Sequence, residues 1–115
     1  MQLKLILLAG SPKLPTLRGI NLSHNELSGE FEILVQNCPR LRFINLSANK
    51  IEKIEALEPF KGLSELKVLD LTDCSVTKLP NYRENVFSLL PQIIYLDGYD
   101  RNGRPIPEDL FEPLN

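Results

Sequence analysis

Apolar residues return in the same order at three places along this chain. LRGINLSHNEL (17–27), LRFINLSANKI (41–51) and LKVLDLTDCSV (66–76) align without gaps, with starts 24 and 25 residues apart. Each reads LxxLxLxx(N/C)x(L/I/V), with isoleucine free to stand for an inner leucine. The alternation at Ile20 and Leu22 has period two, which predicts a short strand whose inner side chains turn to a core. One such unit cannot bury that face alone, so the units must stack. Asn25 and Asn49 recur where the chain leaves the strand, and an amide there is expected to satisfy backbone groups of the turn. Cys74 takes that place in the third unit.

Between the strands the pattern changes period. Phe31, Leu34, Val35 and Cys38 fall at i, i+3, i+4 and i+7, predicting a helix with Ser28 as its N-cap and Pro39 as its stop. IEKIEALEPFKGLSE (51–65) contains Pro59 and Gly62 and predicts only short helical turns. Asn81 and Glu84 have capping-box spacing before Tyr82, Val86, Leu89 and Leu90, a third helix that Pro91 closes. IIYLDGYDR (93–101) then predicts a fourth strand with Ile93 and Leu96 inward and Gly98 where Leu22, Leu46 and Leu71 stood. Tyr82 or Phe87 is expected to fill the space over Gly98 and cap the stack.

Pattern and period are similar to the leucine-rich repeat. The expected fold is α/β: a right-handed solenoid with a parallel concave sheet, helices and turns on the convex side, and a C-terminal cap. The predicted domain spans 1–101, with a partial repeat at 1–16, full repeats from 17, 41 and 66, and the cap at 82–101. Residues 102–115 form a proline-containing extension.

Composition narrows the partners. The 115 residues carry 13 basic and 15 acidic side chains for a net charge of −2, so bulk charge favours neither nucleic acid nor an anionic membrane. The apolar start MQLKLILLAG is too short for a membrane span and lacks a basic signal-peptide region. Cys38 and Cys74 read as buried, reduced thiols of an intracellular protein. The one histidine, His24, lies in a turn, and no zinc spacing, phosphate loop or catalytic triad is present. An enzyme, a metal site and a cofactor are therefore not expected.

Candidate contacts lie between the inward leucines, on the concave face. Read off in register they are Gly19, Asn21, Ser23; Phe43, Asn45, Ser47; Val68, Asp70, Thr72; and Tyr95, Asp97, Tyr99. Asn21, Phe43, Asn45, Asp70, Tyr95, Asp97 and Tyr99 are the candidate protein-binding residues, since aromatic side chains beside hydrogen-bonding groups anchor interfaces. The acids at the C-terminal end make that part of the face negative and suited to a basic peptide. Asn25, Asn49, Cys74, Tyr82, Phe87 and Gly98 are assigned to the repeat and cap framework. Arg18, Arg42 and Lys67 form a second column at a spacing of about 4.8 Å, read as a solvated edge.

The stretch from Asn37 to Arg101 closely resembles the acidic leucine-rich nuclear phosphoprotein family, whose cap reads much like YRENVFxLLPQLxYLDGYDR. Tyr82, Arg83, Glu84, Asn85, Val86, Phe87, Leu90, Pro91, Leu96, Asp97, Gly98 and Tyr99 carry the match, and the resemblance covers roughly residues 12 to 101. Related caps close the spliceosomal A-prime protein and a phosphatase regulatory subunit. The resemblance implies a non-enzymatic nuclear or shuttling protein that binds histones and chromatin regulators, inhibits a serine/threonine phosphatase and takes part in transcript handling. The alternative is a structural subunit of a ribonucleoprotein resembling the A-prime protein. Two departures bear on this: an N-terminal cap is not evident, and NGRPIPEDLFEPLN (102–115) stands where the family has a long acidic tail. Tail-dependent histone binding does not carry over. With no cap before Met1–Leu5, that strand edge is expected either to pair two copies into a homodimer or to be covered by MQLKLILLAG folding over it as a makeshift cap, which leaves a monomer.

Overall fold

The computed structural model describes residues 14–107. Its elements run β1 (Gly19–Asn21), α1 (Glu32–Asn37), β2 (Phe43–Asn45), a 3-10 helix (Ile54–Gly62), β3 (Val68–Asp70), a second 3-10 turn (Ser75–Lys78), α2 (Tyr82–Leu89) and β4 (Tyr95–Leu96). The strands form one parallel sheet in chain order β1-β2-β3-β4. Gly19, Phe43, Val68 and Tyr95 stand side by side, as do Ile20, Ile44, Leu69 and Leu96. This is the register read from the repeat, and the solenoid is the expected α/β architecture. The Met1–Leu5 strand and the dimer built on it lie outside the described residues.

The inner column Ile20, Ile44, Leu69 and Leu96 is buried, with the flanking Leu22, Leu46 and Leu71. Across the core, Phe31 before α1 stacks on Phe60 of the first 3-10 helix, ring centroids 5.0 Å apart. That contact ties the convex side of one repeat to the next, with an aromatic gain beyond simple burial.

The helices depart from the sequence reading at their starts. Helix α1 begins at Glu32 after Phe31, with no side-chain cap, so Ser28 is not its N-cap. Asn81 does precede α2, but its backbone is left-handed (φ 58°) and its side chain makes no cap bond, so the Asn81–Glu84 capping box does not form. An N-cap amide needs extended backbone to aim at the first free N–H groups, and φ 58° removes that aim. Pro59 and Gly62 do not break the middle segment, which runs as one 3-10 helix from Ile54 to Gly62.

The largest correction concerns the end of β4. The strand stops at Leu96, and Asp97 (φ 54°) and Gly98 (φ 89°) both take left-handed backbone. Leu96 N–H donates to Tyr99 O at 2.8 Å and Tyr99 N–H to Leu96 O at 3.2 Å. This is a two-residue hairpin turn of the kind that needs positive φ at both central residues, for which Asp-Gly is suited. Gly98 therefore does not occupy an inward position that Tyr82 or Phe87 fills, since a Cβ there would meet no atom within 4 Å. Tyr82 and Phe87 are buried elsewhere in the cap. We expect Gly98→Ala to cost about 1–2 kcal/mol through left-handed strain, and Gly98→Asn less. Equal melting temperatures for both variants and the parent would remove the turn from the argument.

The hairpin and one arginine close the sheet. Beyond the Asp-Gly turn the chain pairs again, Ile106 N–H to Gly98 O at 2.9 Å and Asp100 N–H to Arg104 O at 2.9 Å, so the cap continues past residue 101. Arg83 donates to Leu96 O at 2.8 Å, Tyr99 O at 3.0 Å and Asp100 O at 2.9 Å. Both backbone groups of Leu96 that point away from β3 are thereby used, and the strand offers no open ladder there. Phe87 lies under the guanidinium groups of Arg83 (5.4 Å) and Arg101 (4.6 Å). Gln92 donates to Phe60 O at 3.0 Å and Leu63 O at 3.1 Å, supplying partners to the end of the 3-10 helix.

Candidate functional site

Repeat asparagines hold the turns in place beneath the face. Asn49 Nδ2 donates to Leu22 O and Leu46 O at 2.9 Å each, and its Oδ1 accepts from Asn25 N–H at 3.1 Å and Leu27 N–H at 2.8 Å. Asn25 donates in the same way to Leu22 O at 2.9 Å. Cys74 reproduces the pattern with sulfur. Its thiol donates to Leu46 O at 3.2 Å, and the N–H groups of Asn49 and Ile51 point at its Sγ. Burial nevertheless pushes the Cys74 thiol above its ordinary range. Burial likewise raises Cys38, and both cysteines are buried and free. Asn25, Asn49 and Cys74 thus each bond a carbonyl at the end of a strand.

On the concave side the strand ends form another column. Asn21, Asn45 and Asp70 pair in register, and each turns its Oδ1 onto the residue two ahead: Ser23 N–H at 3.0 Å, Ser47 N–H at 2.9 Å, Thr72 N–H at 2.9 Å. These Asx turns fix the side chains and use one oxygen each. The second polar atom of each, an amide NH₂ in Asn21 and Asn45 and a carboxylate oxygen in Asp70, is left for another contact. One step back, Phe43, Val68 and Tyr95 lie half-buried in a row beside Gly19. Adjacent strands put these side chains about 4.8 Å apart, giving a narrow apolar stripe.

Asp97 and Tyr99 leave that face. Asp97 Oδ1 accepts from Leu71 N–H at 2.6 Å and Oδ2 from Tyr82 OH at 2.7 Å. In the earlier repeats the same strand-end N–H groups, of Leu22 and Leu46, bond to the main-chain carbonyls of Asn45 and Asp70. The hairpin turns Asp97's own carbonyl away, and its carboxylate replaces that carbonyl. Both carboxylate oxygens are thus committed to the cap. Tyr99, half exposed, sits on the return strand rather than on an extended β4.

Burial pushes the Asp97 carboxyl above the ordinary 3.8, and the Leu71 N–H and Tyr82 hydroxyl pull it partly back. The same burial, with the neighbouring carboxylate, raises the Tyr82 hydroxyl. A carboxyl raised on folding contributes stability that is complete below about pH 3.8 and is lost as pH rises through the folded value. Asp97→Asn keeps an acceptor for Leu71 and a partner for Tyr82 without the charge. Its stability relative to the parent is therefore expected to be most favourable near neutral pH and to converge on the parent's as pH falls toward 4, followed by denaturant titration. A constant difference across that range would contradict the assignment.

Arg18, Arg42 and Lys67 form the anticipated column one residue before the strands, joined by Arg42 N–H to Arg18 O at 2.7 Å and Lys67 N–H to Arg42 O at 2.9 Å. Ile94 holds the fourth place, 48% exposed. Among the described residues the ion pair found is Arg40–Glu65 at 3.3 Å, outside this column. Two open depressions lie off the sheet, about 360 Å³ beside Arg83, Phe87 and Arg101 and about 640 Å³ beside Glu26, Lys50 and Glu55. Among the described residues no three His, Cys, Asp or Glu side chains group as metal ligands, and no helix is long and apolar enough to cross a membrane.

The sequence reading missed the work of Arg83, Gln92 and the Asp-Gly turn. The last had a local signal, Asp-Gly between Leu96 and Tyr99. The other two had none, because their acceptors are carbonyls of residues far along the chain or across the turn.

Solved structures share this architecture. In the Drosophila melanogaster SNF/U2A′ complex one chain is similar at 32% identity over 85% of this chain and 53% of its own length, with a TM-score of 0.71. The Chaetomium Mex67:Mtr2 subunits match at 27% identity over 73% of this chain and 55% of theirs, TM-score 0.64. The Mex67 LRR domain from Chaetomium thermophilum matches at 28% over 73% and 58%, TM-score 0.65. The chain thus spans little more than half the length of each of these solved chains. A family model described as leucine-rich repeat matches residues 3–101, the same stretch that supplies the stacked strands, the asparagine turns and most of the cap, and the chain belongs to the leucine-rich repeat family.

Proposed function

We propose that this chain is a non-enzymatic nuclear protein-binding module whose partner docks on the concave face. The observation that carries the reading is the apolar stripe of Phe43, Val68 and Tyr95, half-buried and bordered by fixed Asn45 and Asp70 side chains. Such a row offers contact area already ordered before binding, which lowers the entropy lost on association. The cap match to acidic leucine-rich nuclear phosphoproteins supports histones, chromatin regulators or a serine/threonine phosphatase as partner classes. Asp97 and Tyr99 fall out of the contact set, and Asn21, Phe43, Asn45, Asp70 and Tyr95 remain.

A second reading, a structural subunit of a ribonucleoprotein, is favoured by the similarity to a chain of the SNF/U2A′ complex. Affinity capture from nuclear extract with the intact chain and with Phe43→Ala/Tyr95→Ala separates the two. Capture that survives nuclease and is lost in the variant fits the first reading. Capture that disappears with the RNA fits the second. Retention of every partner by the variant would remove the concave face from both.

A further inference from the structure

We propose that Asn102–Gly103 is a self-modification site, where the asparagine side chain cyclises onto the main chain, loses ammonia and leaves an isoaspartyl link, with Asp100 holding the rate down. The site lies at the tip of the second cap turn, between Asp100 and Arg104.

Asn102 alone among the asparagines is followed by glycine. Ring closure needs the main-chain nitrogen of the next residue to reach the side-chain Cγ, and a β-carbon on that residue hinders the approach. Glycine has none. Gly103 takes left-handed backbone (φ 80°), and a Cβ there would meet no atom within 4 Å, so solvent reaches the turn. Asn102 itself is exposed. Hydroxide from solvent takes the Gly103 amide proton, the nitrogen attacks Asn102 Cγ, and the Cγ–Nδ2 bond breaks, the amide leaving as ammonia with a proton from water. Water then opens the five-membered ring. Cleavage at Cγ gives aspartate in an ordinary main chain, and cleavage at the main-chain carbonyl carbon routes the chain through Cβ and Cγ, the isoaspartyl link.

The fold works against this step. Gly103 N–H donates to Asp100 O at 3.0 Å, while Asp100 Oδ1 accepts from Asn102 N–H at 2.8 Å and Arg104 N–H at 2.9 Å. The nitrogen that must attack has its proton engaged, and Asp100 grips the residues on both sides of it. Asp97–Gly98 carries the corresponding aspartate chemistry, but Leu71 N–H and Tyr82 OH hold both carboxylate oxygens of Asp97, which directs the modification to Asn102. The isoaspartyl link inserts one extra carbon into the main chain between the two N–H groups that Asp100 Oδ1 binds, so the grip no longer fits. The return strand beside it is held by Asp100 N–H to Arg104 O and Ile106 N–H to Gly98 O, both at 2.9 Å. Its loosening opens backbone groups of Gly98 and Asp100 at the outer edge of the cap, where another strand can pair. The new carboxylate also adds one negative charge next to Arg101 and Arg104.

The test incubates the full chain at neutral pH and follows it by peptide mass spectrometry. Isoaspartate is read by methyl transfer from S-adenosylmethionine with an isoaspartyl O-methyltransferase as the probe. Conversion is expected at Asn102 ahead of every other asparagine, with isoaspartate among the products, and more slowly than in a synthetic peptide of residues 99–105. Asp100→Ala removes the Oδ1 acceptor and is expected to convert on the order of tenfold faster, the factor that two hydrogen bonds of ordinary strength supply together. Asp100→Asn keeps an Oδ1 acceptor and is expected to stay near the parent rate. All rates are read relative to Asn85 in the same digest, so that a general loss of folding does not count as release of the turn. Hydrogen exchange at the amides of Asp100 and Ile106 is expected to be faster in the converted chain than in the fresh one. An intact Asn102 in Asp100→Ala, earlier conversion at another asparagine of the parent, or equal rates in parent, Asp100→Ala and peptide would each overturn the proposal.

Discussion

A chain ending at Asn81 is expected to show no cooperative thermal transition and to aggregate. The cap contributes Tyr82, Val86, Phe87, Leu90, Ile93 and Leu96 to the core, six side chains that are at most 6% exposed. At about 1.5–3 kcal/mol each, their removal withdraws roughly 9–18 kcal/mol, as much as the whole stability of an ordinary domain. It also uncovers Leu69, Leu71, Phe60 and Val76 to water and leaves the β3 edge without Asp97 and Tyr95 opposite it. Solenoid ends need such closure because each interior repeat relies on a neighbour on both sides. Circular dichroism and light scattering across a melt read the outcome. A soluble truncated chain that melts in one sharp transition would show that three repeats suffice.

Asn49→Ala is the single substitution with the largest expected cost outside the apolar core. It strands the N–H groups of Asn25 and Leu27 and removes donors from Leu22 O and Leu46 O at a site 6% exposed. Buried groups without partners cost about 1–3 kcal/mol each, and partial relaxation brings the sum to about 3–5 kcal/mol. The protein supplies its own control. Asn49→Cys places at this turn the side chain that Cys74 provides one repeat later, where sulfur receives two N–H groups and donates to one carbonyl. Its loss is expected to be roughly half that of alanine, since thiols are weak in both roles. Chemical denaturation of the two variants makes the comparison. Equal losses would mean that volume, rather than hydrogen bonding, sets the price of this position.

The candidate site divides along similar lines. Phe43, Asn45, Asp70 and Tyr95 were readable as neighbours from the repeat alone, because a residue's place in the unit fixes its strand, its face and its partner in the next repeat. Asp97 was readable as part of the same column, yet its carboxylate is occupied by Leu71 and Tyr82. The difference arises at the end of the series. A periodic pattern carries forward only while another repeat follows, and Asp97 belongs to the residue pair that turns the chain back.

The sequence by itself therefore determined the stacking, the register and the inner column, since 24- and 25-residue spacings and inward leucines admit one economical burial. It also placed the turn asparagines and their cysteine substitute, whose partners repeat with the period. Tertiary structure alone decided how the solenoid stops. Arg83 reaches three carbonyls across the hairpin, Gln92 meets two carbonyls from the preceding convex helix, and Phe87 lies beneath two guanidinium groups. Those contacts join backbone groups that become neighbours only after the strands are stacked, so no local pattern of polar and apolar residues encodes them.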